Sequence, residues 1–299
     1  MPLIVFGLLN LNKPAGITSR DAVNRVQRLV PRSLKVGHAG TLDPLATGVL
    51  IVTIGPATRL TTRIQQWPKT YCATFLLGRS SDTEDTEGDV VVDARAESIA
   101  QSVLEQALPR LTGTIQQRPP AYSAVKIAGQ RAYRLARAGA AVELAPRAVT
   151  IHELRIVRYD YPAFALEVVC GSGTYIRSLG RDLAALVGTT AVMSQLTRTA
   201  IGPLTLDQAV EIGELNRENL EWKLLPAVAA VPELFAVRLD PSQLQRVARG
   251  MCIPFPGRTD DQLAALTPDG RLVAILGRTP NGDYHPNCNF PTAGGPALS

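Results

Sequence analysis

The chain has 299 residues, of which 45% are hydrophobic and 19% charged, with a net charge of +5 at pH 7. This length allows one large domain with its own core, or a large domain followed by a small one. No apolar run approaches the ~20 residues of a membrane span, and residues 1–9 lack the basic start of a signal peptide, so we expect a cytoplasmic protein without membrane contact. The four cysteines are widely spaced, and His285 with Cys288 is too small a set for a metal site, so we expect no metal ion.

Hydrophobic periodicity predicts a mixture of strands and helices along the chain. The predicted strands are residues 6–12, 49–54, 71–77, 149–157, 164–170 and 192–200. The predicted helices are residues 18–30, 97–111, 130–138, 174–187, 206–215 and 220–230. After Leu239 short β-like runs with many Pro and Gly residues dominate, which indicates a small β-rich second domain. This mixture predicts an α+β fold.

The glycine-rich loop at residues 37–49 carries a single carboxylate, Asp43, just ahead of an apolar strand. An isolated acid in such a loop is a candidate nucleophile. The pair Asp43-Pro44 is also how many helices begin, with Asp as the N-cap and Pro as the first helical residue. Spacing alone leaves these two interpretations equally supported.

Two segments have opposite charge. The acidic residues between Gly78 and Gly88 predict a solvated loop that repels RNA. Residues 110–158 contain nine basic and two acidic residues, so this segment alone carries +7. Such clustering is expected of a polyanion-binding surface, although a solvated basic face is the alternative. Within it, Arg131, Arg134 and Arg137 recur every three residues along one flank of a predicted helix.

Five segments, in order, resemble the signatures of the bacterial tRNA pseudouridine synthases of the TruB type. They are residues 11–19, with a Lys-Pro-x-Gly pattern, 37–49, 69–78, 120–126 and 173–178. The resemblance implies a pseudouridine synthase fold, in which helices flank a mixed, largely antiparallel sheet. It also implies a catalytic domain at residues 1–236 with a basic insertion at about 112–147, and a PUA-like RNA-binding domain at 237–299.

The activity implied by this resemblance is isomerisation of the uridine in the TΨC loop of tRNA, position 55 in tRNA numbering. Asp43 would be the nucleophile, Arg177 its cationic partner and Tyr71 the aromatic residue that stacks on the base. The base would be flipped out of the loop, with no metal or organic cofactor. We expect a monomer that binds the TΨC stem-loop and needs no obligate protein partner.

Substrate binding is assigned by the same resemblance to eight residues. They are His38, Tyr71, Tyr175, Leu196, Lys13, Lys126, Arg131 and Arg134. Other interpretations stay open from the residues alone: Tyr71, Tyr175 and Leu196 fit ordinary core packing, and His38 fits a turn. The alternative function is an RNA-binding or tRNA-folding factor without catalysis, and a phosphate-ester hydrolase is a more distant rival.

Overall fold

A computed structural model of the chain describes residues 6–123, 126–127, 130–131 and 144–290. The strands are β1 (Gly7–Lys13), β2 (Val36–Ala39), β3 (Thr47–Ile54), β4 (Lys69–Leu77), β5 (Arg79–Ser80), β6 (Val91–Val92), β7 (Gly113–Gln117), β8 (Lys126–Ile127), β9 (Gln130–Arg131), β10 (Arg147–Asp160), β11 (Ala163–Cys170), β12 (Ala191–Ile201), β13 (Leu204–Thr205), β14 (Val210–Glu211), β15 (Phe235–Arg238), β16 (Gln262–Leu266), β17 (Leu272–Arg278) and β18 (Tyr284–Asn289). The α-helices are α1 (Ser19–Gln27), α2 (Thr61–Gln66), α3 (Gln101–Ala107), α4 (Ile176–Leu186), α5 (Leu220–Lys223) and α6 (Pro241–Ala248).

A large sheet forms the frame of the molecule, with the strand order β14-β1-β3-β12-β4-β11-β10-β7. Strand β2 pairs with the second half of β3, at residues 51–54, and β13 pairs with β12. Within this sheet β1 and β14 run parallel, as do β3 and β12, and the remaining pairs are antiparallel. This mixed, largely antiparallel sheet with helices packed on it confirms the predicted α+β fold.

Strand β4 in the middle of the sheet explains how α4 is placed. Its side chains alternate, so Tyr71 and Phe75 are buried whereas Cys72 is exposed. Helix α4 packs directly on Phe75, because a Cβ atom at Gly180 would lie only 2.0 Å from the Phe75 ring. The glycine therefore permits the close approach that brings the start of α4 to the edge of the central strands.

The second sheet has the order β15-β16-β17-β18, and it confirms the expected small β-rich region. The boundary predicted between residues 236 and 237 falls inside β15. Helix α6 was not predicted, although Asp240 and Gln243 form a capping box at its start. The second sheet has an apolar cluster of its own, which includes Leu263, Val273 and Tyr284. Its remaining buried apolar side chains join a second cluster with Leu60 and Ile64 from the first part of the chain.

Two predicted helices are wrong. Residues 206–215 form short 3-10 turns on either side of β14, because pairing of β14 with β1 overrides the local helical pattern. In residues 220–230 the helix stops at Lys223, and Pro226, which has no N–H to donate, precedes a 3-10 turn at Ala227–Ala230.

The predicted helices at 97–111 and 130–138 also differ from the structure. Helix α3 begins at Gln101 and continues as a 3-10 helix at Leu108–Leu111. Its Leu104 side chain is buried, whereas Val103 is exposed. Residues 130–131 belong to β9, which pairs with β8, and 132–138 lie outside the described residues. In the part of the chain that the structure describes, no helix is long and apolar enough to cross a membrane.

Candidate active site

The site lies where three neighbouring strands of the large sheet meet. The start of β3, the later part of β12 and the start of β4 are adjacent, since Thr47 pairs with Thr197 and Tyr71 pairs with Arg198. Asp43 is on the loop that enters β3. The helix interpretation of Asp43-Pro44 is wrong: these residues form a turn, in which the Ala46 N–H donates to the Asp43 carbonyl at 3.1 Å.

Asp43 and Arg177 form the ion pair that the sequence predicted. Arg177 lies in the first turn of α4, and its Nη2 atom is 3.0 Å from Oδ2 of Asp43. The Arg177 side chain is only 6% exposed, whereas the Asp43 side chain is 37% exposed. The buried arginine therefore holds a carboxylate that remains open to a ligand.

Arg177 has three further partners, which come from distant parts of the chain. Its Nη1 atom donates to the Thr83 carbonyl at 2.6 Å and lies 3.5 Å from Oδ2 of Asp85. Its Nη2 atom also donates to the Tyr122 carbonyl at 3.0 Å. The planar guanidinium is thus used on both sides of its fork, which fixes its orientation toward Asp43.

The acidic loop is not the solvated segment that the sequence predicted. Asp85 is buried, and Thr83 Oγ1 donates to its Oδ1 at 2.6 Å. Glu84 is held in a left-handed conformation with φ of 62°, accepts a hydrogen bond from Ser178 at 2.8 Å and pairs with Arg181. Burial raises the pKa of Glu84, and the Arg181 charge opposes this rise. The prediction failed because the arginines that neutralise the loop lie about one hundred residues away in sequence.

Tyr71 lies on the floor of the site. It is 9% exposed and belongs to one apolar cluster with Leu42 and Leu196. Burial raises the pKa of the Tyr71 phenol, and the neighbouring Arg198 charge partly offsets this rise. The phenol therefore keeps its proton at neutral pH and presents an uncharged ring beside Asp43.

Lys13 supports the Asp43 loop from beneath. Its side chain is fully buried, and Nζ donates to the carbonyls of Ile17 at 2.7 Å, Pro14 at 2.8 Å and Pro44 at 3.4 Å. Burial lowers the pKa of Lys13 to about 8, while Asp43 opposes the shift. The resemblance implied substrate binding for Lys13; in the structure its ammonium group binds the backbone around Asp43.

His38 and Tyr175 lie at the edges of the site. His38 is half-buried on β2, and burial together with the charge of Arg20 lowers its pKa. Tyr175 is the N-cap residue of α4, and the guanidinium of Arg147 lies 4.9 Å from its ring centroid. The backbone of Tyr175 is fixed by the buried Gln117 side chain, which accepts from its N–H at 2.8 Å and donates to its carbonyl at 3.1 Å.

Three residues of the site were not identified from the sequence, namely Asp85, Gln117 and Arg198. Arg198 follows Leu196 at a two-residue interval in an apolar strand, and a charge on the inner face of a strand was a usable signal. Nothing local distinguished Asp85 or Gln117. Within the described residues, no group of three or more His, Cys, Asp and Glu side chains could hold a metal ion.

The predicted basic insertion is only partly described. Lys126 pairs with Arg131 in the two-residue β8-β9 ladder, so Arg131 is not helical as predicted. Arg134 and Arg137 lie outside the described residues. Strand β7 pairs with the start of β10, which brings residues 113–117 and 147–151 together at the edge of the large sheet.

Sequence comparisons find relatives over most of the chain. Residues 27–176 match the model of the TruB family pseudouridylate synthase (N terminal domain). The chain is 44% identical over 278 residues to a tRNA pseudouridine synthase B of Thermobifida fusca, covering 90% of this chain and 93% of that protein. It is 36% identical over 332 residues to one of Rhodopirellula baltica, covering 96% of this chain and 95% of that protein.

Solved structures share the fold. A Cbf5-Nop10-Gar1 complex contains a chain that is 25% identical, with a TM-score of 0.69 over 92% of this chain and 78% of that one. An H/ACA RNP bound to a substrate RNA containing 2′-deoxyuridine contains one that is 22% identical, with a TM-score of 0.72 over 96% of this chain and 86% of that one. The second likeness shows the fold alone.

Proposed function

This chain belongs to the TruB family of pseudouridylate synthases, and we propose that it converts the uridine at position 55 of tRNA, in the TΨC loop, to pseudouridine. The family makes it an isomerase. Its relatives are named tRNA pseudouridine synthase B, which supports tRNA as the substrate class. The observation that carries the proposal is the pairing of buried Arg177 with the partly open carboxylate of Asp43.

The chemistry sets what the site must supply. Isomerisation breaks the bond between N1 of the base and C1′ of ribose and forms a bond from C5 to C1′. The C5 proton leaves and N1 gains one, so neither water nor electrons are consumed. The detached base must stay in place while it turns, and water must not reach the ribose during that interval.

Asp43 would act as the nucleophile. A carboxylate is a weak nucleophile and must be ionised to attack. The Arg177 guanidinium lies 3.0 Å from Oδ2 of the Asp43 carboxylate and orients it, leaving the other oxygen available. Leu42 and Leu196, which belong to the same buried apolar cluster as Tyr71, would help to exclude water from the site.

Tyr71 would support the base. Its protonated ring can stack on uracil, and base–aromatic stacking contributes ~1–3 kcal/mol per base. Leu196, in the same apolar cluster, would limit the other side of the pocket. These contacts do not depend on which bond of the base is being formed, so they can hold it through the rotation.

His38 would compensate for base flipping. Extruding a nucleotide from a folded loop costs a few kcal/mol of lost stacking. His38 lies half-buried beside the Asp43 loop, and its lowered pKa keeps the imidazole uncharged at neutral pH, which suits stacking into the vacated space. Tyr175, at the start of α4, would contact the nucleotide on the opposite side.

The RNA backbone would be bound by basic residues around the site. Segment 110–158 carries a net charge of +7, including Lys126, Arg131 and Arg134. The second sheet would contribute a further contact as a PUA-like domain. The enzyme would act as a monomer on the TΨC stem-loop, since Asp43, Tyr71 and Arg177 are all brought together within one chain.

The test is to map pseudouridine in an unmodified tRNA transcript after incubation with the purified protein. We expect one new pseudouridine, at position 55, and none with Asp43→Asn. Asp43→Asn keeps the size of the side chain, so it should bind the transcript as tightly as the wild type. Binding of tRNA with no pseudouridine from the wild type would instead support the non-catalytic RNA-binding alternative.

A further inference from the structure

Arg198 is a buried charge without a counter-charge. It is 1% exposed, and among the described residues no carboxylate lies within 4 Å of it. Burying an ionised side chain is costly unless hydrogen bonds replace its water. The hydrogen-bond partners that replace water at Arg198 therefore indicate the role of this residue.

Those contacts are carbonyl oxygens at both ends of the Asp43 loop. Nη2 donates to the Gly40 carbonyl at 3.1 Å and Nη1 to the Thr41 carbonyl at 3.4 Å, just before Asp43. Nε donates to the Val49 carbonyl at 2.7 Å, just after the loop has entered β3. One guanidinium thus joins the residues on which the loop begins and ends.

The backbone of β12 is pressed against the same loop. Gly48 has φ of 101°, and a Cβ atom there would lie 2.2 Å from the Arg198 carbonyl oxygen. This contact leaves no room for a side chain at position 48, so the backbones of β3 and β12 lie close together there. The Arg198 side chain therefore starts from a fixed backbone and reaches across the loop.

Arg198 also faces Tyr71. The two residues are paired in the β12-β4 ladder, and the guanidinium carbon lies 6.0 Å from the Tyr71 ring centroid. Arg198 thus binds the Asp43 loop and also lies against the Tyr71 ring. Asp43 lies on the loop before β3 and Tyr71 lies in β4, so a side chain that contacts both elements can fix their relative position.

We propose that Arg198 is a positioning residue, which sets the Asp43 carboxylate relative to the Tyr71 ring without touching the RNA. The proposal rests on the proposed function, because the reaction gives this geometry its meaning. Removing the guanidinium should slow the chemical step for bound RNA, because a small displacement of a nucleophile from its reactive position lowers the rate strongly. RNA affinity should not change, because a residue that is 1% exposed offers no surface to a ligand.

The experiment compares Arg198→Lys and Arg198→Met with the wild type on a tRNA transcript. Lysine keeps the charge and the aliphatic stem, but one ammonium group cannot span carbonyls at both ends of the loop. We expect Arg198→Lys to lower the single-turnover rate at saturating enzyme by at least about tenfold, with an unchanged Kd. Arg198→Met should lower it further. The control is Arg246→Lys, since Arg246 also binds a backbone carbonyl, that of Cys252, but lies in α6 far from the site in the chain.

Hydrogen exchange gives a readout that does not depend on activity. In Arg198→Lys the amides of residues 41–48 should exchange faster than in the wild type, while those of β4 beyond Phe75 and of β16–β17 should not. Accelerated exchange throughout the large sheet, or failure of both variants to fold, would overturn the proposal by showing a role in overall stability.

A wild-type rate in a folded Arg198→Lys, or a loss of affinity as large as the loss of rate, would equally overturn it. Failure of the proposed function would look different, because the wild type itself would then leave position 55 unmodified. In that case the exchange measurement still decides whether Arg198 holds the loop.

Discussion

Arg177→Lys provides a quantitative test of the pairing at the centre of the site. Arg177 makes four polar contacts: Nη2 with Asp43 and the Tyr122 carbonyl, and Nη1 with Asp85 and the Thr83 carbonyl. A lysine ammonium is a single point on a flexible stem, so it can serve one side of this fork at a time. At least two contacts are lost whichever side it keeps.

The size of the loss follows from these contacts. Hydrogen bonds to charged groups contribute ~1.5–3 kcal/mol each, so losing two corresponds to ~3–6 kcal/mol before any relaxation. If the ammonium abandons Asp43, the loss appears in catalysis, and ~3 kcal/mol is about a hundredfold in rate. If it stays with Asp43, the loss appears in the free energy of unfolding, because Asp85 is left buried and unpaired.

The two quantities are therefore measured together, from single-turnover rates on tRNA and from urea denaturation. We expect the increase in activation free energy and the decrease in the free energy of unfolding to sum to at least ~3 kcal/mol. Arg155→Lys is the control, since Arg155 pairs with Glu167 on the exposed face of the sheet, where such pairs contribute ~0–1 kcal/mol. A sum for Arg177→Lys no larger than that of Arg155→Lys would refute the reasoning.

Three further outcomes are expected. Gln117→Met should lower the free energy of unfolding by ~1–3 kcal/mol in urea titrations, because it leaves the buried backbone N–H of Tyr175 without its partner and removes one of the two hydrogen bonds to the Tyr175 carbonyl; an unchanged midpoint would contradict this. Burial and Arg20 lower the pKa of His38 below its ordinary 6.5, so the unfolded chain binds more protons between those two pKa values. The wild type should therefore lose stability as pH falls below 6.5, and His38→Gln should flatten this dependence; parallel curves would exclude a buried neutral imidazole. Deleting residues 237–299 should destabilise the remaining chain, because Leu60 and Ile64 lose the apolar partners they share with the second sheet. Each side chain that becomes exposed should cost ~1.5–3 kcal/mol of unfolding free energy. An unchanged thermal midpoint would show that the shared cluster contributes nothing to stability.

Local sequence patterns correctly predicted those elements that are determined by interactions between residues close together in the chain. Thr18 and Asp21 form the capping box that their spacing predicts, and α1 follows from it. The alternation in residues 71–77 predicts β4 and the inward direction of Tyr71, because a strand has only two faces. The predicted helices at 206–215 and 220–230 failed where β14 pairs with β1 and where Pro226 interrupts the chain, respectively.

The site was predictable only as far as the family resemblance reached. Asp43, Tyr71 and Arg177 were named from motifs, and the Asp43–Arg177 contact is present. The acidic loop was misread because charge composition reports only on nearby residues, whereas Glu84 and Asp85 find their arginines on α4. The carbonyl partners of Lys13 and Arg198 could not be predicted from the sequence. Every residue has a backbone carbonyl, so the side-chain pattern does not indicate which carbonyls a buried cation will bind.

The irregular shape of the Asp43 loop accounts for the buried cations around it. Backbone carbonyls that belong to neither helix nor sheet need other partners when they are buried. Here Lys13 binds the Pro44 carbonyl, and Arg198 binds those of Gly40 and Thr41 while its Nε atom donates to the Val49 carbonyl in β3. The loop is thereby fixed without regular secondary structure, which leaves the Asp43 side chain free to point outward.

The same cations place positive charge against the backbone of the loop that carries Asp43. Among the described residues, neither Lys13 nor Arg198 has a carboxylate within 4 Å, so their charges are not cancelled by an ion pair. With a pKa of about 8, Lys13 is mostly protonated at neutral pH and is close enough to interact with Asp43. Lys13 therefore both satisfies the loop backbone and places a positive charge near the carboxylate that would act as the nucleophile. In this molecule one buried ammonium group thus helps to fix the shape of the loop and also contributes to the electrostatic surroundings of its aspartate.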